Sequence, residues 1–294
     1  MIKKNTSEVV FQVINVFIMM VIIAVIILPF MNIFSLSVSD RVAVATMKVK
    51  LLPVGFNLAA YKKIIINHIF QRSLVNTVGI TVAGTGLSII VITMMAYAMS
   101  KNYFFGKKFI TYYMIITMYF SGGLIPSYLL MTKYLGLGNT YLAYILPSIV
   151  NIFYVIVIRS QIEAVPGELF DSASIDGAGE IRILFNIVLP VIAPTIAAIS
   201  MFLALGGWNM WFSVLLYARD NKMWTLQFYL REVVFSTLLE STAQMTGQSI
   251  DAEVIPTENM RMASIIIVAL PIVSIYPFVQ KYFVKGIMAG SVKG

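Results

Sequence analysis

The residues best placed to do chemistry lie in the stretch DSASIDGAGEIRILFNIVLP, Asp171 to Pro190. Glu163, Glu168, Asp171, Asp176 and Glu180 put five of the chain's thirteen acids within eighteen residues. No metal-ligand cluster and no nucleophile–base–acid set accompanies them. The single histidine, His68, sits far away in IIINHIF, where a surface or packing role accounts for it. The absence of cysteine removes disulfides, thiolate metal sites and thiol catalysis. A phosphate-cradling GxxxxGK[ST] loop is also missing, because Gly106-Lys107 lacks a glycine five residues upstream. The acids therefore read as a recognition surface, and any uphill work needs energy from a partner.

Most of the rest of the chain is apolar. Hydrophobic residues make up 59% of 294 positions and charged residues 12%, and the mean hydropathy is +0.88, values of a membrane protein rather than a soluble domain. Between successive charges run six uncharged segments of nineteen residues or more: 9–39, 73–100, 109–132, 134–158, 183–218 and 262–280. Each accommodates a helix of about 20 residues, the length that crosses ~30 Å of hydrocarbon. The expected spans are approximately 11–34, 75–99, 109–130, 141–158, 190–214 and 263–284. A transmembrane barrel is excluded by the lack of ~10-residue alternating strands. The first segment follows MIKK and greatly exceeds the core of a signal peptide, so it reads as a retained anchor. None of the six segments contains Asp, Glu, Lys or Arg, whereas ion-coupled transporters and proton pumps generally need an ionisable group within the membrane.

Six spans place both termini on one side. Lys3 and Lys4, then Lys101, Lys107 and Lys108, then Lys281, Lys285 and Lys293 favour a cytoplasmic location for that side, against a lone Lys133 in the opposite short loop. The six Lys or Arg residues within 40–72 oppose this orientation. The net charge of +8 reads as topology and lipid-surface chemistry, and no nucleic-acid partner is expected. Two long loops, 37–72 and 217–262, mix apolar and polar residues well enough to form short amphipathic elements on the outer surface. Seven of the ten prolines lie in or beside the apolar segments, where they kink helices.

The acidic loop, 159–189, must then face the cytoplasm, against the usual basic bias of inner loops. Its local chemistry predicts two short helices. Pro166 suits a first turn, Glu168 and Asp171 favour the positive end of a helix dipole, and Gly177 suits a left-handed stop. Beyond the break, Ile181, Leu184, Phe185 and Val188 follow i, i+3, i+4, i+7 spacing and predict an apolar stripe leading through Leu189-Pro190 into the fifth span.

This segment resembles the EAA loop of bacterial ABC importer permeases, written EAA, three residues, G, nine residues, I-x-L-P. Here Asp171-Ser172-Ala173 stands for the triplet, with Gly177, Ile187, Leu189 and Pro190 at the matching positions. Asp and Ser depart from the first two motif letters and keep charge or size. LLPVGFNLAAY, AYAMSKNYFFGKKF and YFVKGIMAGSVKG extend the resemblance over nearly the whole chain, to permease subunits of maltose-type carbohydrate importers. SGGLIP and WNMWF are similar to the branch associated with complex oligosaccharides. The resemblance implies an all-α integral membrane protein of the type I ABC importer permease fold: one transmembrane domain over 1–294, six transmembrane helices and a cytoplasmic coupling-helix loop. It implies ATPase-coupling roles for Asp171, Ser172, Ala173, Asp176, Gly177, Ile187, Leu189 and Pro190. It also implies the partners: a second permease forming a heterodimer, two cytoplasmic ABC ATPases that hold ATP and Mg, an external solute-binding protein and a sugar. It implies further that the chain itself carries no cofactor, is not an enzyme, and sits in the bacterial cytoplasmic (inner) membrane.

Candidates for the substrate pathway are Trp208, Asn209 and Trp211, read as neighbours on one helical face, with Ser121, Gly122 and Asn151. Aromatic rings stack on sugar faces and amides bind hydroxyls. Interfacial anchoring explains the tryptophans equally well, and close helix approach explains the small residues. A permease for a peptide or osmolyte, and a scaffold or signalling subunit that translocates nothing, are the alternative functions.

Overall fold

In the computed structural model, residues 6–101, 103–246 and 258–291 are described. Among them the elements are helical: α1 Thr6–Ser37, α2 Arg41–Ala45, α3 Ala59–Ile66, α4 His68–Ser100, α5 Lys107–Tyr119, α6 Leu124–Leu129, α7 Leu142–Ile145, α8 Ile152–Glu163, α9 Gly167–Ile175, α10 Glu180–Ile183, α11 Leu189–Trp208, α12 Phe212–Tyr217, α13 Leu226–Thr246 and α14 Glu258–Ser291. Both chain ends, with Lys3, Lys4 and Lys293, and part of the second long loop, 247–257, lie outside the described residues.

Four helical stretches are long and apolar enough to cross a membrane: Ser7–Ser37, His68–Ser100, Glu180–Trp208 and Glu258–Ile275. The third and fourth expected spans are each a bent pair, Lys107–Tyr119 with Leu124–Tyr134 at 109° and Leu142–Ser148 with Ile152–Glu163 at 49°; counting each pair as one span gives up to six. The bends fall where the sequence interrupts the helix. Gly123 takes φ +88° just before Pro126, and Pro147 opens a short 3-10 turn ahead of Asn151. The fifth span begins ten residues earlier than expected and ends at Trp208 rather than at 214. Its early start is continuous with the motif loop through a π-helical turn, Leu184–Val188.

The chain divides into two compact units. In the unit of Met1–Asn67 and Leu230–Leu270, α1 is apolar on every side, the pattern of a helix bathed in lipid. Its last turns are polar and buried because the following loop folds back on them. Ser35 Oγ donates to the Leu51 carbonyl (2.7 Å) and Ser37 Oγ pairs with Tyr61 Oη (2.8 Å), while Ser39 Oγ receives the Val54 amide (3.0 Å). Asn259 Nδ2 donates to the carbonyls of Leu36 (3.1 Å) and Ser39 (2.7 Å). The expected short elements of the first long loop are α2 and α3.

The unit of His68–Tyr229 and Pro271–Gly294 is organised around α4, which packs along α8 and α11. Ile92 and Ala96 of α4, Val155, Ile158 and Ile162 of α8, and Val188, Ile192 and Ile199 on the approach to and along α11 form one buried cluster. Lipid offers no hydrophobic drive for helix association, so close contact must come from small residues and hydrogen bonds. Gly207 supplies the first: a Cβ there would lie 3.1 Å from Thr81 Cα. Asn76 supplies the second, donating to the carbonyls of Lys222 (2.9 Å) and Trp224 (2.8 Å) and accepting from Tyr141 Oη (2.8 Å). These bonds fix the start of α4 to the segment after α12.

Candidate functional site

The acidic loop is a short helix presented at the end of α4. α8 ends at Glu163, Val165 turns inward, and Pro166 in an extended conformation starts α9 with Glu168 in its first turn. α9 stops as its glycine dictates. Gly177 adopts φ +74° and its amide donates to the Ser174 carbonyl (3.1 Å), while the Ala178 amide reaches the Ala173 carbonyl (2.9 Å). This pairing satisfies the helix's last carbonyls through a left-handed residue.

The motif residues divide by direction. Phe170, Ala173 and Ala178 pack against the buried cluster of α4, α8 and α11, so the alanine of the triplet is a packing residue whose small size lets α9 lie close. Asp171, Ser172, Asp176 and Gly177 are exposed, with Glu168 and with Ile175 at 86% exposure. The Ser172 hydroxyl bonds back to the Glu168 carbonyl (2.8 Å), leaving carboxylates and Ile175 as the features that project outward. Ile187 and Leu189 are half-buried against the same cluster, Val188 is fully buried and Pro190 is exposed. A π-helical turn directly precedes Pro190, which has no amide to donate and crowds the preceding turn of a regular α-helix. Half of the expected stripe, Leu184 and Val188, faces inward. Ile183, Leu184 and Val188 are buried, whereas Ile181 and Phe185 are 75% and 60% exposed.

Two of the five acids are bound internally, which their position in the sequence does not reveal. Glu180 receives Lys101 Nζ at 2.8 Å, the Tyr103 hydroxyl at 2.8 Å and the Tyr97 hydroxyl. The hydrogen bond to Glu180 raises the Tyr103 phenol above its ordinary value, with smaller contributions from desolvation and from the Glu180 charge. Lys101 Nζ also stands over the rings of Tyr97 (4.5 Å) and Phe170 (4.9 Å), so one ammonium joins α4, α9 and α10. Glu163 receives Lys107 Nζ at 3.1 Å and Arg159 Nε at 3.0 Å, and Arg159 continues to Thr111 Oγ1 (3.1 Å). Glu168, Asp171 and Asp176 form no ion pair among the described residues and make up the outward acidic face.

The sequence and the fold have counterparts among known proteins. The chain is 39% identical over 285 residues to protein LplC of Bacillus subtilis, covering 97% of this chain and 95% of that one. It is 36% identical over 269 residues to the polygalacturonan/rhamnogalacturonan transport system permease protein YtcP of the same organism, covering 91% and 93%. The chain belongs to the permease family of carbohydrate ABC importers. A crystal structure of a bacterial ABC transporter involved in the import of the acidic polysaccharide alginate contains a chain that superposes on this permease with a TM-score of 0.85 at 29% identity, covering 95% of this chain and 99% of that one. No family model matches the chain.

The permease's expected pathway residues do not converge. α11 ends at Trp208, which is buried, and Asn209 closes the helix by donating to the Leu205 carbonyl (2.9 Å) and accepts from Gln227 Nε2 (2.9 Å). Trp211 lies beyond this break, 41% exposed and edge-on to Phe212, so the two tryptophans do not share a helical face. Ser121 and Gly122 lie exposed in the bend between α5 and α6, and nothing within this chain comes within 4 Å of a Cβ built at Gly122. Asn151 caps α8 by accepting from the Tyr154 amide (3.4 Å) and lines a cavity of about 330 Å³ between α4, α8 and α11. Sequence reading missed the α4 side of that cavity: Thr81, Thr85 and Ser88. Their i, i+4, i+7 spacing in an apolar helix was the available signal.

Proposed function

We propose that the chain is one of two transmembrane subunits of an ATP-driven importer in the bacterial inner membrane, with six spans and both termini cytoplasmic. α9 docks on a cytoplasmic ABC ATPase, and closure of two such ATPases around ATP and Mg drives the permease pair between inward- and outward-facing states. An external solute-binding protein delivers the sugar. Asp171 and Asp176, with Glu168, form the docking face; Ser172 and Ala173 hold the helix's shape and seat; Gly177 stops it; Ile187, Leu189 and Pro190 join it to α11. The observation that carries this reading is the division of the acidic loop into an outward face and an inward latch: three carboxylates face out, while Glu180 and Glu163 tie the loop to Lys101 and Lys107. Such an arrangement receives force on one side and passes it to α4 and α5 on the other.

The substrate we propose is an oligosaccharide, with acidic sugars foremost because both polygalacturonan/rhamnogalacturonan transport and alginate import occur among the similar proteins. The complex, purified through this chain and reconstituted with its binding protein in proteoliposomes, is expected to accumulate labelled oligogalacturonide only when ATP is supplied. ATP turnover without solute movement would support a scaffold instead, and uptake of a peptide or osmolyte alone would reassign the solute.

A further inference from the structure

The first half of α4 carries a groove that the coupling loop does not use. His68, Arg72, Val75 and Gly79 line it along one side of the helix, and Tyr141 and Ile145 bound it from the α7 segment. The groove encloses about 830 Å³, within the ~300–1,000 Å³ range of ligand pockets. From His68 to Gly79 it follows α4 for about 16 Å, at ~1.5 Å per residue. A Cβ built at Gly79 meets nothing within 4 Å, so the floor lies open. The other end of α4 carries Lys101 and the coupling loop. In the orientation proposed above, the groove therefore lies on the side from which solute is delivered.

Its charge is one-sided. Arg72 is the last charged residue before the uncharged run 73–100. Its guanidinium is tethered by one edge, Nε donating to the Lys222 carbonyl (3.2 Å). The same carbonyl accepts from Asn76 Nδ2 (2.9 Å), and Asn76 Oδ1 accepts from the Tyr141 hydroxyl (2.8 Å), so the anchor is itself braced. A guanidinium offers five N–H donors in a planar fork. With Nε engaged, four remain on the two Nη atoms, and among the described residues they meet no carboxylate. No Asp or Glu lines the groove among the described residues. Asp220, the acid nearest in sequence to the tether, uses Oδ1 to accept the Lys222 amide (2.7 Å).

A tether to a carbonyl would be served by any long side chain with one donor. A held guanidinium with both Nη atoms unused, over a groove without acids, has the spacing that the two oxygens of a carboxylate match. We infer that Arg72 binds the carboxylate of a uronic acid unit as the oligosaccharide enters the permease, with Val75 and Gly79 beneath the sugar. This rests on the acidic-oligosaccharide reading and names the residue that selects for charge.

The cysteine-free sequence allows a direct test. Val75 is 70% exposed and lines the groove one turn from Arg72, so Val75→Cys places a single thiol on this chain beside the guanidinium. The assembled importer, in phosphatidylcholine nanodiscs, is treated with methyl methanethiosulfonate either nucleotide-free or trapped with ADP and vanadate, and modification of this chain is followed by mass. Trigalacturonate is expected to protect the thiol at a concentration about tenfold lower than its fully methyl-esterified, uncharged form, the order a hydrogen-bonded charge provides. Arg72→Gln, which keeps a donor for the Lys222 carbonyl, should bring the two sugars to the same half-protecting concentration. Arg72→Lys, which keeps the charge without the fork, should fall between. Equal protection by acid and ester in the Val75→Cys complex, a preference unmoved by Arg72→Gln, or protection by neither sugar would overturn the inference. So would a thiol that reacts only in the denatured chain, which would make the groove a buried contact between subunits. If Arg72→Gln does not assemble, the acid–ester comparison in Val75→Cys and the Arg72→Lys variant decide. Uptake of labelled oligogalacturonide by the unmodified complex tests the sugar reading separately, and uptake without an acid preference at the thiol would sink this inference alone.

Discussion

Replacing Glu180 with Gln removes the charge at the centre of the latch while keeping the side chain's size. Lys101, whose side chain is only 16% exposed, then loses an ion-pair partner at 2.8 Å, and the hydroxyls of Tyr97 and Tyr103 lose a charged acceptor. A shielded hydrogen bond to a charged group contributes ~1.5–3 kcal/mol and an exposed ion pair ~0–1 kcal/mol. Glu180, with its side chain 52% exposed, lies between those limits, so the latch as a whole contributes about 1–2 kcal/mol to holding α9 and α10 on α4. If that energy keeps the loop in the geometry that transmits motion, sugar moved per ATP hydrolysed falls about tenfold, the factor that ~1.4 kcal/mol represents. The assay is uptake and ATP hydrolysis measured on the same proteoliposomes, normalised to assembled complex. Lys101→Met should cost about the same, and Glu180→Gln/Lys101→Met should be little worse than either alone, because both remove one shared interaction. Exchanging the two charges should recover part of the loss, since the pair is bidirectional even though the tyrosines are not. Unchanged uptake per ATP in Glu180→Gln, or losses that simply add in the double variant, would refute the latch.

Other expectations follow from the packing. Gly207→Ala should destabilise the detergent-purified chain by ~1–3 kcal/mol, because the new Cβ meets the backbone of Thr81 at 3.1 Å rather than a side chain able to move; an unchanged thermal midpoint would contradict this. Asn76→Asp converts two donors into acceptors facing the carbonyls of Lys222 and Trp224, and is expected to lower stability by at least ~2 kcal/mol, measured by the same melt. Asp171→Lys, on the exposed face of α9, should leave that melt within ~0.5 kcal/mol of the parent yet reduce co-purification of the ATPase subunits severalfold.

The elements fixed by local chemistry were legible in the sequence. α9 starts beside Pro166 and ends at Gly177 because both residues restrict or permit backbone angles on their own account. The long apolar stretches declared themselves by length. What depended on distant partners was hidden. Glu180 and Glu163 read as members of the outward acidic face, but Lys101 and Lys107 lie more than fifty residues away in sequence, and only Arg159, four residues before Glu163, is a local partner. Trp208 and Trp211 looked adjacent on a helix because nothing local announced that Asn209 would close it on Leu205. Of the apolar stripe after Gly177, Leu184 and Val188 are buried as their spacing indicates, while Ile181 and Phe185 are exposed.

If force enters through α9, Gly177 is the position at which a backbone change should break the coupling. A Cβ there meets nothing within 4 Å, so substitution acts through the backbone alone: φ +74° costs an ordinary L-residue ~1–2 kcal/mol, more for a β-branched one and less for asparagine. The measurement is the ratio of sugar imported to ATP hydrolysed by the reconstituted complex for the parent, Gly177→Asn and Gly177→Val. The ratio should fall in that order, with the Gly177→Val complex hydrolysing ATP yet importing little while the protein still assembles. A Val variant that imports at the parental ratio would contradict it.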